Sequence, residues 1–177
     1  MHFLLVLSLV VFAITFLVLV IKIIGYLYPY FFWGAIYVPT SNEKVEKMIN
    51  LLEIKPGQLA ADLGAGDGRL LIALAKAGAK AYGCEINPFL VLLAKKNIKE
   101  AGLEGKAFVF WKSLWNQDLA EFDAVVVYGM RHMMGKLEKK FENELKPGAK
   151  IASNYFVLPR WRPIKVTDKV YFYTIKS

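Results

Sequence analysis

Two acidic side chains in this sequence stand where they can do chemistry together. Asp62 precedes the first glycine of Asp62-Leu63-Gly64-Ala65-Gly66-Asp67-Gly68-Arg69 by two residues, and Glu85 follows Gly64 by 21. Glycines at 64 and 66 let backbone approach a ligand closely, and either can take positive φ. A dinucleotide fingerprint wants glycine at the first, third and sixth positions, so that pyrophosphate rests on a helix N-terminus. Here the sixth position is Arg69, and no Gly-Lys-Ser/Thr follows to make a Walker-type phosphate cradle. A carboxylate just ahead of the turn repels phosphate and suits an ammonium group. An acid at the end of the next strand can accept both hydroxyls of a ribose. Together they describe a pocket for an amino acid joined to a nucleoside without phosphates, and S-adenosylmethionine is that molecule.

Such a pocket needs a frame. Thr40-Ser41-Asn42-Glu43 reads as a capping box, after which Val45, Met48, Ile49 and Leu52 recur at helical spacing until Lys55-Pro56-Gly57. Apolar runs then alternate with amphipathic stretches: strands at 58–63, 80–84, 106–110, 122–128 and 150–157, and helices at 69–77, 88–101 and 133–145. Continuous apolar strands such as Ala124-Val125-Val126-Val127 suit a parallel sheet covered on both faces, in right-handed doubly wound topology. Runs at 164–166 and 170–175 predict a closing edge hairpin. Asn87-Pro88 places a cap before proline at the first helical position. Leu90, Val91, Ala94, Ile98 and Ala101 then keep one face apolar, with Lys95, Lys96 and Lys99 opposite. Met134, Leu137, Phe141 and Leu145 make a second stripe, leaving Lys136, Lys139 and Lys140 outside.

The chain has 177 residues, of which 56% are apolar, more than the roughly 45–50% of an average globular chain. The excess sits at the front: residues 1–42 carry one fixed charge, Lys22, and the rest holds a net +7. Positions 3–21 lack charge for 19 residues, about 28 Å as a helix, close to the hydrocarbon thickness of a bilayer. The run exceeds the usual signal-peptide core, only Met1 and His2 precede it, and no small-residue cleavage site follows, so a retained anchor is expected. Basic residues follow the span rather than precede it, which predicts the remainder on the cytoplasmic or equivalent internal side. Tyr26, Tyr28, Tyr30, Phe31, Phe32, Trp33 and Tyr37, interrupted by Pro29, suit either the membrane surface or packing on the domain that follows. Pro29 argues against a second straight span. The expected division is an anchor with its aromatic segment at 1–39 and one domain at 40–177. Cys84 is the single cysteine, so a disulfide framework and a Cys-rich zinc site are excluded, and no metal is expected.

The 62–69 turn resembles motif I of class I S-adenosylmethionine-dependent methyltransferases, and Glu85-Ile86-Asn87-Pro88 resembles the acidic ribose-binding step that follows it. More narrowly, Tyr37-Val38-Pro39-Thr40, Gly83-Cys84-Glu85-Ile86-Asn87-Pro88, Leu114-Trp115, Met133-Met134 and Leu145-Lys146-Pro147-Gly148 resemble membrane-anchored lysine N-methyltransferases of the ATP synthase c subunit and the adenine nucleotide translocase. The resemblance implies an α/β fold: a doubly wound, Rossmann-like methyltransferase sheet, mostly parallel with an edge hairpin, preceded by a transmembrane helix. It implies that Asp62, Gly64, Ala65 and Gly66 surround the methionyl part of S-adenosylmethionine, that Glu85 holds the ribose, and that Ile86, Ser113 and Leu114 lie against the adenine. Relatives commonly carry Asp where this chain has Ser113. Tyr128, Met130 and Asn154 are expected to line the methyl acceptor's entry. The Asn/Asp-Pro-Pro-Tyr signature of many nucleobase and glutamine methyltransferases is absent after the fourth strand.

Bland roles are assigned alongside. Gly68 serves helix packing, Asp67 caps a helix, Asp123 is structural, and Trp111, Trp115 and Trp161 pack. His132 has no orienting partner in the sequence and is read as surface, so no general base is named. The leading expectation is a membrane-anchored protein-lysine methyltransferase acting on a membrane-associated protein. Three others stand beside it: a methyltransferase of a lipid-soluble small molecule, an RNA methyltransferase suggested by the net charge of +8, and a non-catalytic S-adenosylmethionine-binding module. Nucleic acid is disfavoured because the lysines are scattered over several helices and anionic lipid accounts for them equally.

Overall fold

The computed structural model describes residues 2–32 and 37–176. Contacts divide the chain into two units, 1–36 and 37–177. The first is one helix, α1 (His2–Phe32), which runs beyond the charge-free positions 3–21 and past Pro29. Proline so close to a C-terminus removes a single backbone bond, which the preceding apolar turns tolerate. Its segment Val6–Ile24 has a mean hydropathy of 2.9 and none of it is buried. The interfacial expectation for Tyr26, Tyr28, Tyr30, Phe31, Phe32 and Trp33 concerns side chains outside the described residues.

In the second unit, α2 (Asn42–Leu52) is capped by Ser41, whose hydroxyl accepts from Lys44 N, so the cap falls one residue later than Thr40. Five strands follow, β1 (Leu59–Leu63), β2 (Lys80–Glu85), β3 (Ala107–Trp111), β4 (Ala124–Val127) and β5 (Lys150–Asn154). They are parallel neighbours in the order β3-β2-β1-β4-β5. The hairpin β6 (Lys165–Thr167) and β7 (Val170–Thr174) closes the sheet, with β7 antiparallel against β5 and β6 outermost. Its two-residue turn, Asp168-Lys169, has both φ values positive, 46° and 60°, the mirror-image turn whose twist matches the flanking strands. The helices α3 (Arg69–Lys76), α4 (Pro88–Glu100) and α5 (Met134–Glu144) supply the crossovers. The chain therefore reverses direction across the sheet between β1 and β4, where doubly wound folds bind ligands.

Register sorts the side chains. Ala60, Asp62, Ala81, Gly83, Val109, Val126 and Ala152 align across neighbouring strands on one face. The apolar members of that face pack with Met48, Leu52, Leu71, Leu74, Val91 and Ala94 from α2, α3 and α4. Gly83 makes this possible, because a Cβ there would lie 2.6 Å from Leu71 Cδ1 and 2.8 Å from Ala65 Cβ. Gly68 has φ 83° and lies where a Cβ would meet Ala94 at 3.0 Å, so the packing role expected of it is observed. Asp123 accepts from Leu59 N at 2.8 Å and pairs with Lys146 at 2.7 Å, likewise as expected.

Three expectations are corrected. Lys140 is not outside: its side chain is 8% exposed, and its ammonium reaches Glu144 at 2.7 Å and the Trp115 carbonyl at 3.3 Å. Trp111 does not pack inside: it is 69% exposed. The fourth and fifth strands are shorter than the apolar runs; the fifth stops because Tyr155 has φ 69° and turns the chain, while Ser153 Oγ donates to the Phe156 carbonyl at 2.6 Å. Beyond that turn, buried Glu138 of α5 accepts from Arg160 N at 2.8 Å and Nε at 2.6 Å and from Trp161 N at 3.3 Å. Arg160 Nη2 also reaches Glu142 at 2.9 Å.

Replacing Gly83 by Ala forces Leu71 and the β1–α3 turn apart. Urea unfolding is expected to show a loss of about 1–3 kcal/mol, larger than the gain of about 0.4–1 kcal/mol that alanine brings by restricting the unfolded chain.

Candidate functional site

The site forms at the carboxyl edge of β1, β2, β4 and β5. Alternation puts Asp62 and Glu85 on the same face of adjacent strands, with the bare backbone of Gly83 between them. The turn after β1 doubles back over β2, Gly64 N and Ala65 N both donating to the Cys84 carbonyl at 3.0 Å. This brings Gly66 N to Glu85 Oε2 at 3.0 Å, while Asn87 N reaches Glu85 Oε1 at 2.8 Å. Glu85 is thus a carboxylate clamped by two backbone donors, 9% exposed.

Asp62 is in the opposite condition. It is 1% exposed and its Oδ2 has no hydrogen-bond partner. Burial, with the charges of Glu85 and Asp67 adding to it, pushes its pKa up to about 8. A buried acid without a donor beside another acid is costly, and a cation or strong donor placed there relieves both carboxyls at once. The turn just beyond it is open: nothing lies within 4 Å of where a Gly64 Cβ would stand, and Gly64 has φ 97°. These are the requirements of an aminoacyl nucleoside, so the residues present fit S-adenosylmethionine.

The sequence does not announce a strap that crosses the turn. Tyr37, first residue of this unit, lays its ring against Gly66, where a Cβ would come within 2.7 Å of Cε2. Burial, followed by the nearby Asp67 charge, raises the tyrosine's pKa. Asp67 holds Arg69 through Oδ2 at 2.6 Å from Nη2, and Arg69 Nη1 donates to the Thr40 carbonyl at 2.7 Å. Burial works to raise the Asp67 pKa, but the hydrogen bonds and charge of Arg69 outweigh it and hold that carboxyl below the usual range. The cap of α3 is Gly68, with no side-chain cap bond, so Asp67, whose Oδ1 accepts from Arg69 N at 3.2 Å, is not the helix cap expected of it: it pins the strap. Along the chain Tyr37 groups with aromatics that suit either the membrane surface or packing on the following domain; for Tyr37 the structure shows the packing, and its nearness to Gly66 in space reveals which turn it covers.

Strand alternation continues the face to Tyr128, one residue beyond β4, and Asn154 at the end of β5. Asn154 is 2% exposed; its Nδ2 donates to Thr40 Oγ1 at 3.3 Å, and its Oδ1 has no partner. The half-buried Tyr128 ring stands 6.5 Å from that of Phe156. Met130 caps the 3₁₀ turn Arg131–Met133 and is half-buried. On the other flank, Lys112 N donates to the Glu85 carbonyl at 3.1 Å and Trp111 Nε1 to the Ile86 carbonyl at 2.9 Å. Ile86, Ser113 and Leu114 thereby reach the same rim, with Ser113 Oγ accepting from Trp115 N at 3.4 Å. The candidate cofactor and acceptor residues read from the sequence thus lie at or just past the carboxyl ends of the parallel strands, with Asp62 and Glu85 on β1 and β2. His132 is exposed beside it, in the turn before α5.

Comparison with known proteins bears on the same residues. The family model for the ANTKMT methyltransferase domain matches residues 62–165. The mouse lysine N-methyltransferase named for the ATP synthase c subunit is 38% identical over 145 residues, 80% of this chain and 58% of that protein. The chain thus spans less than two thirds of that relative's length. A protein-lysine N-methyltransferase of Saccharolobus islandicus is 34% identical over 78% of this chain and 92% of its own. Among solved structures, an RNA methyltransferase from Salinibacter ruber in complex with S-adenosyl-L-homocysteine superposes with a TM-score of 0.76 at 35% identity, covering 78% of this chain and 94% of that one.

The raised Asp62 pKa has a definite sign in stability. The folded state holds a proton that the unfolded carboxyl, near 3.8, releases, so the contribution is complete below pH 4 and lost as pH rises through about 8. Asp62→Asn cannot lose that proton. Its urea-unfolding free energy, measured without ligand, is expected to gain on the parent between pH 5 and pH 9, by about 1–3 kcal/mol in all.

Proposed function

The chain belongs to the ANTKMT methyltransferase family, and from that membership we propose that it is an S-adenosylmethionine-dependent protein-lysine N-methyltransferase acting on a membrane-associated protein. One observation carries the reading: the buried, unpartnered Asp62 oxygen on the same face as the clamped Glu85. Asp62 takes the ammonium of the methionyl part and Glu85 the ribose. Gly64, Ala65 and Gly66 lie along the ligand, and Ile86, Ser113 and Leu114 flank its adenine. When bound, S-adenosylmethionine supplies an electrophilic methyl group on a cationic sulfur.

In-line displacement from a sulfonium needs alignment and exclusion of water more than covalent help. The Tyr37 ring closes the glycine turn from above, and the Asp67–Arg69 pair fixes the strap to it. A lysine acceptor, with an unperturbed pKa of about 10.4, must also lose a proton, and an apolar channel favours its neutral form. Tyr128 and Met130 wall that channel, and the free Asn154 Oδ1 accepts one N–H of the entering amine, turning its lone pair toward the methyl group.

The apolar, wholly unburied stretch Val6–Ile24 supports a membrane span, with the methyltransferase domain, whose compact unit begins at Tyr37, on the cytoplasmic or equivalent internal side. A tether raises the enzyme's effective concentration near membrane targets. RNA remains a second reading, because the Salinibacter ruber structure is titled an RNA methyltransferase.

Methyl-labelled S-adenosylmethionine incubated with the full chain and a membrane fraction is expected to label a protein band at lysine. Label in extractable lipid, in RNA, or nowhere despite cofactor binding points respectively to a lipid-soluble acceptor, to nucleic acid, or to a binding module. At saturating cofactor, Tyr128→Ala and Asn154→Ala are each expected to slow turnover by roughly 10- to 100-fold, with cofactor affinity measured by calorimetry kept; unchanged turnover removes that residue from the channel. Ammonium binding expels the Asp62 proton, so the dissociation constant for S-adenosylmethionine is expected to fall as pH rises toward about 8 and to level off above it. Asp62→Asn is expected to bind weakly and without that pH dependence.

A further inference from the structure

The start of α4 is apolar on the side where a solvated helix is polar. Val91, Ala94 and Ile98 fill the buried face, yet Phe89 is 71% exposed, Leu92 65% and Leu93 39%. Trp111 is 69% exposed at the end of β3, and its indole N–H is fixed at 2.9 Å to the carbonyl of Ile86, two residues before α4. The polar atom of that ring is satisfied and its apolar body is held outward. Scattered exposed leucines are ordinary, but a Phe, Leu and Trp group rimmed by lysine marks an interaction surface. Residues 86–112 carry five lysines against two glutamates. Of these glutamates, Glu100 pairs with Lys96 at 3.7 Å on the exposed face.

The composition selects the partner. Aromatic and leucine tips sink to the headgroup boundary while lysine stems run along them and keep their charges at anionic headgroups. The same chain carries the apolar stretch Val6–Ile24, which suits a bilayer. The group also lies at the carboxyl edge of the sheet, the edge where Tyr37 begins the domain against Gly66.

We propose that Phe89, Leu92 and Trp111, flanked by Lys95 and Lys96, form a second membrane contact that rests in the interface of an anionic bilayer. This contact sets the rim of the site in the plane of the membrane, where a lysine close to a target's own span is within reach. The choice of a bilayer rests on reading Val6–Ile24 as a span, and the experiment scores that reading separately.

The full chain is reconstituted into phosphatidylcholine vesicles with or without phosphatidylserine, carrying a nitroxide on Leu92→Cys or, as control, on Lys76→Cys at the far end of α3. Cys84 is buried, its thiol pushed up to about 12 by that burial, and stays unlabelled. With phosphatidylserine, the label at 92 is expected to meet oxygen more readily than a water-soluble nickel chelate, and the label at 76 the reverse. Lys95→Glu and Lys96→Glu combined are expected to return the 92 label to water while the chain still floats with the vesicles. The proposal is overturned if the 92 label reads as water in phosphatidylserine vesicles with which the chain floats. It is equally overturned if that label turns apolar only when a substrate protein is added, which makes the surface a protein dock. Failure to float removes the span reading; the same vesicles mixed with the labelled chain then decide the contact by the same two readings.

Discussion

Two carboxyl groups are buried side by side at the end of a parallel sheet, and the rest of the domain is arranged around that cost. One of them, Glu85, is stabilised from within by Gly66 N and Asn87 N. The other, Asp62, has one oxygen with no donor at all. The asymmetry requires a turn that doubles back over the neighbouring strand, and that turn fits only because position 83 has no side chain. A fold optimised for stability alone would place an apolar residue at 62, as it does at the aligned positions Val126 and Ala152. The unmet requirement of the empty protein is the form that binding energy for a cationic ligand takes before the ligand arrives.

What the sequence made legible follows from local rules. The spacing of Asp62, the glycines and Glu85 is set within one β-α-β unit, so reading along the chain recovers it. The Asn87-Pro88 cap is local too, and Asn87 Oδ1 accepts from Phe89 N at 3.0 Å. Strand β4 announced itself because burial on both faces leaves an unbroken apolar run. The ends of β4 and β5 were overextended because apolar residues continue beyond the last ladder bond, and only the left-handed backbone of Tyr155 stops the second of them.

What stayed hidden involves partners far apart in the chain. Thr40 and Asn154 are separated by 114 positions, and neither the capping box at one nor the strand end at the other announces their contact. Tyr37 stood in an aromatic stretch for which packing on the domain was one of two readings, but which turn its ring covers could not be read along the chain. Lys140 obeyed helical periodicity for an outward side chain and was instead drawn in by Glu144 and a loop carbonyl. Periodicity predicts which way a side chain starts, whereas its far end goes where charge and hydrogen bonds lead it. Trp111 erred in the other direction, because size and hydrophobicity alone argued for burial.

The junction of Glu138 with Arg160 and Trp161 has a thermal consequence. Apolar packing loosens on cooling, since its driving force near room temperature is entropic. A carboxylate at 0% exposure that gathers two backbone N–H groups and a guanidinium does not draw on that force. The connection leading from β5 to the hairpin is therefore held by a fastening whose strength does not fade in the cold as the surrounding core's does. In a chilled cell this corner of the molecule is among the last to soften.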